Sequence, residues 1–284
     1  MNELFRLRIR FAKAGRLRWL SHLELTRAME RLIRRSGLPY AVTQGFNRHM
    51  RFAPGPALPV GCAGQRELFD VWLTAYIPAP QALGLLRLAA AETITILDVQ
   101  YIAGKARGLQ ATHTISDYTV ELEMNRAATK RDNSDGLLVS SEGGLASSEG
   151  SLASSEGGSA SSEGSLASSD GSLVSSASSP ANSANSPAIP DLTASNLQAA
   201  MDEFIAQGLL EVMHKGKLKR FDLSKSIIGA PLFEAVADQP GCFRFNCTLL
   251  SSESGSLRPE QLILAVFPEQ LSVRTVYRRD LREP

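Results

Sequence analysis

Leu4-Phe5-Arg6-Leu7-Arg8-Ile9-Arg10-Phe11, followed closely by Ser21-His22-Leu23-Glu24, decides how this chain is read. The first stretch alternates apolar and charged residues with a period of two. That is the pattern of a strand with one face buried and arginine on the other. The second is a capping box, in which Ser21 caps a helix, Glu24 reaches back to it, and Leu20 staples onto Leu25. The helix is predicted to run to about Ser36 and to stop at Gly37-Leu38-Pro39. Leu25, Met29, Leu32 and Ser36 form its inward stripe, flanked by Ala28 and Ile33. Arg27, Arg31, Arg34 and Arg35 share the other face.

Working outward, a stretch rich in Gly and Pro covers 45–61, then a strand is expected at 67–75, a helix at 80–91 and a strand at 93–102. The order β-α-β-β-α-β is the ferredoxin-like arrangement. The carboxyl half reads similarly. Strands are expected at 117–124, 242–250 and 271–277, helices at 194–207 (capped by Thr193 or Ser195) and 258–267, and a hairpin at 209–215 and 220–223 about Gly216. The fold class is therefore α+β, as two ferredoxin-like lobes in tandem with a long disordered Ser/Gly/Glu repeat inserted in the second. The boundaries are 1–110 for a basic lobe, 111–131 for the first strand of the second lobe and its lead-in, 132–190 for the low-complexity insert, and 191–284 for the remainder of the second lobe.

The insert contains five consecutive seven-residue units, from SSEGGLA to SSDGSLV, over 140–174. Each has at most one Leu and at least one Gly, so a heptad seam fails. Such a segment buries too little surface to offset the entropy of ordering it. It sits in a β-to-α connection, where closure entropy grows only logarithmically with length.

Charge is unevenly placed. The net charge of the 284 residues is +1, yet seven acids and no base lie between Asp132 and Pro187. Residues 1–110 carry 16 Lys/Arg against 7 Asp/Glu, whereas 188–284 carry 11 against 12. Arginine dominates the amino-terminal excess, which suits bidentate contacts with phosphate. Arg8, Arg10, Arg27, Arg31, Arg34, Arg35, Arg48 and Arg51 are the candidate nucleic-acid or partner contacts. Phe11, Trp19, Phe46 and Phe52 lie among them, either to stack on bases or to fill the core. An acidic protein surface or plain solubility are the other uses of such a face.

Several classes are set aside. No apolar run approaches about 18 residues and the amino terminus lacks a signal-peptide core, so a cytoplasmic protein outside the membrane is expected. Cys62, Cys242 and Cys247 make a sparse, odd set, and Cys242 and Cys247 fall on opposite faces of one strand, so no metal site is expected. P-loop, Rossmann and nucleophile-elbow patterns are absent. His22 and His49 are the weak catalytic candidates. His22 begins a helix just after a strand, where it either orders the helix start, binds a ligand, or serves as general base of a metal-independent endoribonuclease. His113 and His214 are expected to face solvent.

The run Arg8-Ile9-Arg10-Phe11-Ala12-Lys13-Ala14-Gly15, the motif Ser21-His22-Leu23-Glu24-Leu25 with Arg27, Gly45-Phe46-Asn47 with His49 and Arg51, and Pro56-Ala57-Leu58-Pro59-Val60-Gly61 together resemble the radical-SAM-linked protein family. This is a bacterial domain of unknown function, encoded beside or fused to B12-binding radical SAM proteins. Fainter likeness continues at 217–223 and 274–279. The chain departs from the family pattern at Arg48 and Met50, where prolines usually flank the histidine, and at Glu24, where Asp is usual. The resemblance implies a separate radical SAM protein as partner. Without a C-x3-C-x2-C motif this chain holds no cluster of its own, and no cofactor is expected. The combined expectation is a non-catalytic accessory module that recognises a substrate, RNA foremost, with the endoribonuclease and a protein scaffold as alternatives.

Because the repeat is expected to bury nothing, deleting residues 140–174 should leave the melting temperature nearly unchanged. A calorimetric loss of several degrees would show that the segment is structural.

Overall fold

A computed structural model describes residues 4–125, 192–214, 216–252 and 255–284; the expectations for the repeat lie outside them. β1 (Phe5–Lys13) leads through a 3-10 turn (Gly15–Trp19) to α1 (His22–Arg35). Then come β2 (Phe52–Pro54), β3 (Cys62–Leu73), α2 (Ala79–Ala89), β4 (Ile94–Ile102), the short α3 (Leu109–Thr112) and β5 (Ile115–Met124). After the repeat come α4 (Ala194–Ala206), β6 (Leu209–His214), β7 (Lys217–Asp222), the one-turn α5 (Leu223–Ser226), β8 (Ile227–Ala235), β9 (Cys242–Ser252), β10 (Gly255–Ser256), α6 (Pro259–Val266) and β11 (Leu271–Arg282).

α1 forms as its sequence dictates. Ser21 Oγ accepts from the Glu24 amide at 3.3 Å and the Glu24 carboxylate accepts from the Ser21 amide at 2.8 Å, which satisfies two orphan donors reciprocally. Leu25, Met29, Leu32 and Ile33 are buried, and Gly37 takes the left-handed conformation (φ 70°) that ends the helix.

Instead of two separate sheets, the strands form one mixed sheet in the order β10-β9-β5-β11-β3-β1-β4, with β8 also pairing β9 and β2 also pairing β3. The joint is β3, a strand of 12 residues used twice. Its far part, Phe69 to Val71, pairs antiparallel with β2, and its start, Cys62 to Gly64, pairs parallel with Val276 to Arg278 of β11. The paired hairpin β6-β7 stands apart as its own two-stranded sheet.

β8 is absent from the sequence reading because Gly229 and Pro231 interrupt its alternation. There the register with β9 breaks between Ile228 and Leu232. The sequence pattern predicts no helix at α3 either. β3 begins five residues before its expected start.

Two apolar cores meet at the joint. One packs Leu7, Ile9 and Phe11 of β1 against Met29, Leu32 and Ile33 of α1 and Leu86 of α2. The other packs Tyr118, Val120 and Phe245 against Met201 of α4 and Leu262 of α6. Between them Arg278, on the side of the sheet that carries the helices, is 2% exposed and meets Glu67, which is 4% exposed. Arg278 Nε donates to Glu67 Oε1 at 2.9 Å, and its other nitrogens reach Glu67 Oε2 and the carbonyls of Pro56 and Ala57. A Cβ on Gly64 would collide with the Glu67 side chain, so glycine is required opposite the register shift between Phe11 and Lys13.

Removing one partner of a buried pair leaves an uncompensated charge. Glu67→Gln should therefore cost about 3–5 kcal/mol in urea unfolding, and Glu67→Leu with Arg278→Met distinctly less. Equal losses would show that the pairing does not govern the joint.

Candidate functional site

The arginines divide into two populations. On β1, Arg8 faces Asp70 in register, and Arg10 faces Asp98. Asp70 is wholly buried and receives two guanidiniums. Arg6 Nε donates at 3.0 Å and Arg8 Nε at 2.9 Å. Arg6 also donates to the carbonyls of Ala106 and Arg107, so the segment before α3 covers this face. Arg10 pairs with Asp98 at 3.0 Å. Arg8, expected on the binding face, is thus spent inside the fold, and Arg10 is partly engaged. The alternation of β1 is the same whether its charged face meets water or carboxylates, so these partners were hidden.

Arg27, Arg31, Arg34 and Arg35 all lie exposed on α1. Arg34 lies 3.6 Å from Glu30 and Arg27 is close enough to act on the Glu24 carboxylate, and exposed pairs of that kind are weak. Arg34 and Arg35 also sit in the last turn, where the helix dipole favours them.

Gly45, Phe46, Asn47, Arg48 and His49 form an exposed loop. It is closed by the Thr43 amide donating to the His49 carbonyl at 2.8 Å and the His49 amide donating to Thr43 Oγ1 at 3.1 Å. Phe46 is fully exposed, so it is no core residue; Phe11 is buried and Phe52 half-buried. Arg51 lies 4.9 Å from the centre of the Trp72 ring, which Arg6 also approaches at 4.9 Å. Trp19 is 60% exposed with Arg18 at 5.0 Å from its ring.

His22 is half-buried at the start of α1 and lines a cavity of about 20 Å³, room for about one water, with Leu25, Met29, Pro56 and Glu67. Burial, then the charges of Arg278 and Lys13, hold its ring below the ordinary value of 6.5, so it is neutral at pH 7. Lys13 is 1% exposed and donates to the Leu20 carbonyl at 3.3 Å. Burial lowers its pKa too, against the opposing pull of Glu67. Lys13, Glu67 and Arg278 were missed as a cluster. The signal was available at Lys13, a charge at a position that the alternation of β1 reserves for the core.

His113, expected in solvent, is 7% exposed, with Nδ1 at 2.8 Å from Thr112 Oγ1 and 3.7 Å from Glu283. The side chain of His214 lies outside the described residues. Among the described residues no three His, Cys, Asp or Glu side chains gather to hold a metal. Burial pushes the Cys62 thiol up to about 12 and the Cys247 thiol higher, which leaves both unreactive as nucleophiles. No helix among the described residues is long and apolar enough to cross a membrane.

Residues 6–145 match a family model described as "Uncharacterized protein conserved in bacteria (DUF2344)", so this part of the chain is similar to that family. The matched span contains α1, the 45–49 loop and the whole Lys13–Glu67 side of the joint. No curated protein matches the chain.

The His22 shift has a sign. With its folded pKa depressed, the unfolded chain takes the proton first. The ring's contribution to stability is therefore full above 6.5 and is lost as pH falls through the depressed value. His113 shifts the same way, so the measure is the difference between wild type and His22→Asn. Their unfolding free energies should converge as pH falls below about 6.5. A constant difference would mean that His22 titrates normally.

Proposed function

We propose that this chain is a non-catalytic substrate-recognition module that works with a separate radical SAM enzyme and binds RNA through the outer face of α1. The observation that carries the reading is the contrast between the two arginine populations. On β1, Arg6 and Arg8 are consumed by Asp70 and Arg10 is partly engaged by Asp98, while Arg27, Arg31, Arg34 and Arg35 are exposed along one face. Four guanidiniums in a row suit a ladder of phosphates. Phe46, fully exposed beside Arg48, adds a ring on which a base stacks. The partner rests on the motif resemblance at 8–15, 21–27, 45–51 and 56–61.

The same reading takes each half of the sheet as a ferredoxin-like unit. The pairing orders β4-β1-β3-β2 and β11-β5-β9-β8 support it, with β6-β7 as an addition in the second. One observation favours a second reading, metal-independent RNA cleavage: the neutral ring of His22 lies beside the cations of Lys13 and Arg278.

If the α1 arginines contact phosphates, RNA affinity falls steeply with salt. Arg31→Gln with Arg35→Gln keeps helix propensity and should flatten log affinity against log salt by about one to two units. Lys217→Gln with Lys219→Gln is the matched control and should do less. RNA binding absent at low salt, or indifferent to the arginine pair, would overturn the reading and leave an acidic protein surface as the partner of α1. A 2′,3′-cyclic phosphate end appearing in EDTA, and lost in His22→Ala, would replace recognition by cleavage.

A further inference from the structure

The helices α1, α2, α4 and α6 lie on one side of the sheet. Among the described residues, the other side is covered over β1 and β3 by the segment that receives Arg6 and is open over β11, β5 and β9. A groove of about 480 Å³ lies there, at the seam between the two halves and within the size range of small-molecule sites. Arg66 of β3 with Arg279 and Asp280 of β11 line one wall, and Asp117 of β5 with Asn246 and Thr248 of β9 line the floor. The irregular stretch of β8 makes the far wall, where Gly229 takes φ 72° and the chain leaves the ladder.

The floor is held rigid by its own bonds. Thr248 Oγ1 donates to Asp117 Oδ1 at 2.7 Å, and Arg282 forks onto both oxygens of Asp117 at 2.7 Å. Thr119 Oγ1 donates to Asn246 Oδ1 at 2.6 Å. These side chains stand on strands rather than loops, which fixes their positions. The wall is different. Among the described residues no hydrogen bond or ion pair holds the exposed Arg279, and Arg66 reaches Asp280 only at 3.5 Å. Two guanidiniums and two carboxylates line the groove, Asp117 is already neutralised by Arg282, and Glu234 accepts from Asn246 Nδ2 at 3.3 Å, so the pull on an anion comes from Arg279 and the loosely held Arg66. Tyr118 also lines the groove but is 4% exposed and packed into the core, so the floor offers a carboxylate, an amide and a hydroxyl.

We infer that this groove binds a sugar phosphate, with its phosphate on Arg66 and Arg279 and its hydroxyls along Asp117, Asn246 and Thr248. Guanidiniums grip phosphate in a forked geometry, and a carboxylate beside an amide accepts and donates to vicinal hydroxyls. Two sources carry that chemistry, a free sugar phosphate or nucleotide and the backbone of an RNA strand. The site is independent of the arginine face of α1, which lies on the other side of the sheet.

The test is calorimetric titration of the full chain with ribose 5-phosphate, with a short single-stranded RNA and with inorganic phosphate. Saturable binding of ribose 5-phosphate below about 10 mM, weakened about tenfold in Arg66→Gln with Arg279→Gln, is the expected result for a free ligand. RNA binding weakened by that pair, without binding of ribose 5-phosphate, assigns the groove to an RNA backbone. Thr248→Val should weaken the sugar phosphate several-fold more than inorganic phosphate. No saturable binding of ribose 5-phosphate or RNA, indifference of both to the arginine pair, or equal affinity for inorganic phosphate overturns the inference. The Arg31/Arg35 variant should retain groove binding, so failure here and failure of the α1 reading are separable.

Discussion

Arg278 and Glu67 meet where neither has water, and the joint of the sheet is built around them. Burial works against the charge on Arg278, yet the facing Glu67 carboxylate outweighs it and keeps the guanidinium protonated. Such a pair is not a cheap source of stability, because desolvating two ions cancels most of their attraction. Its value here is in position. β3 and β11 touch through only three registered residues, Cys62 to Gly64 against Val276 to Arg278. An apolar contact of that length would tolerate a slip, and a slip by one residue turns every side chain to the other face. A forked guanidinium with its remaining donors on the Pro56 and Ala57 carbonyls has one geometry. It therefore fixes the parallel register, the path of the chain before β3, and the field around His22.

The charge distribution follows the same economy. An arginine inside a fold must find an acid, and in the covered part of the sheet each does. Arg6 and Arg8 converge on Asp70, Arg10 on Asp98, and Arg278 on Glu67. The excess positive charge of residues 1–110 is thereby displaced outward, onto α1 and the loop through Arg48. A basic count read from sequence overstates the exposed positive surface, because part of it is structural. What remains is smaller but better defined, since a rigid helix spaces its guanidiniums at fixed intervals while a strand buries them.

Local signals were legible where the physics is local. The cap at Ser21 and Glu24, the inward stripe of α1, the stop at Gly37 and the hairpin about Gly216 are each settled within a few residues, and the structure has them there. The merging of the strands into one sheet was not legible, because it rests on partners 211 positions apart. β8 escaped for a different reason, since a bulge at Gly229 to Pro231 removes the alternation by which a strand is recognised. Arg8 shows the limit of charge patterns most clearly. Its carboxylate partner lies on another strand, 62 residues away, and nothing near Arg8 distinguishes a solvated face from a paired one.

The two candidate surfaces follow from the joint rather than from either half. Because Arg278 and Glu67 face the helices, the residues next to them in sequence face away. Arg66 precedes Glu67 and Arg279 follows Arg278, and period-two alternation with the break near Arg279 delivers both to the open side. The same bond that buries one arginine therefore brings two others together across the seam. On the helix side the cations of Lys13 and Arg278 stay behind His22 and act on its titration from within. The arginines of α1 act outward from the same layer. A ligand in the groove and a polyanion on α1 would thus occupy opposite sides of one rigid sheet, without steric competition. Any coupling between them would have to pass through the register that Glu67 and Arg278 set.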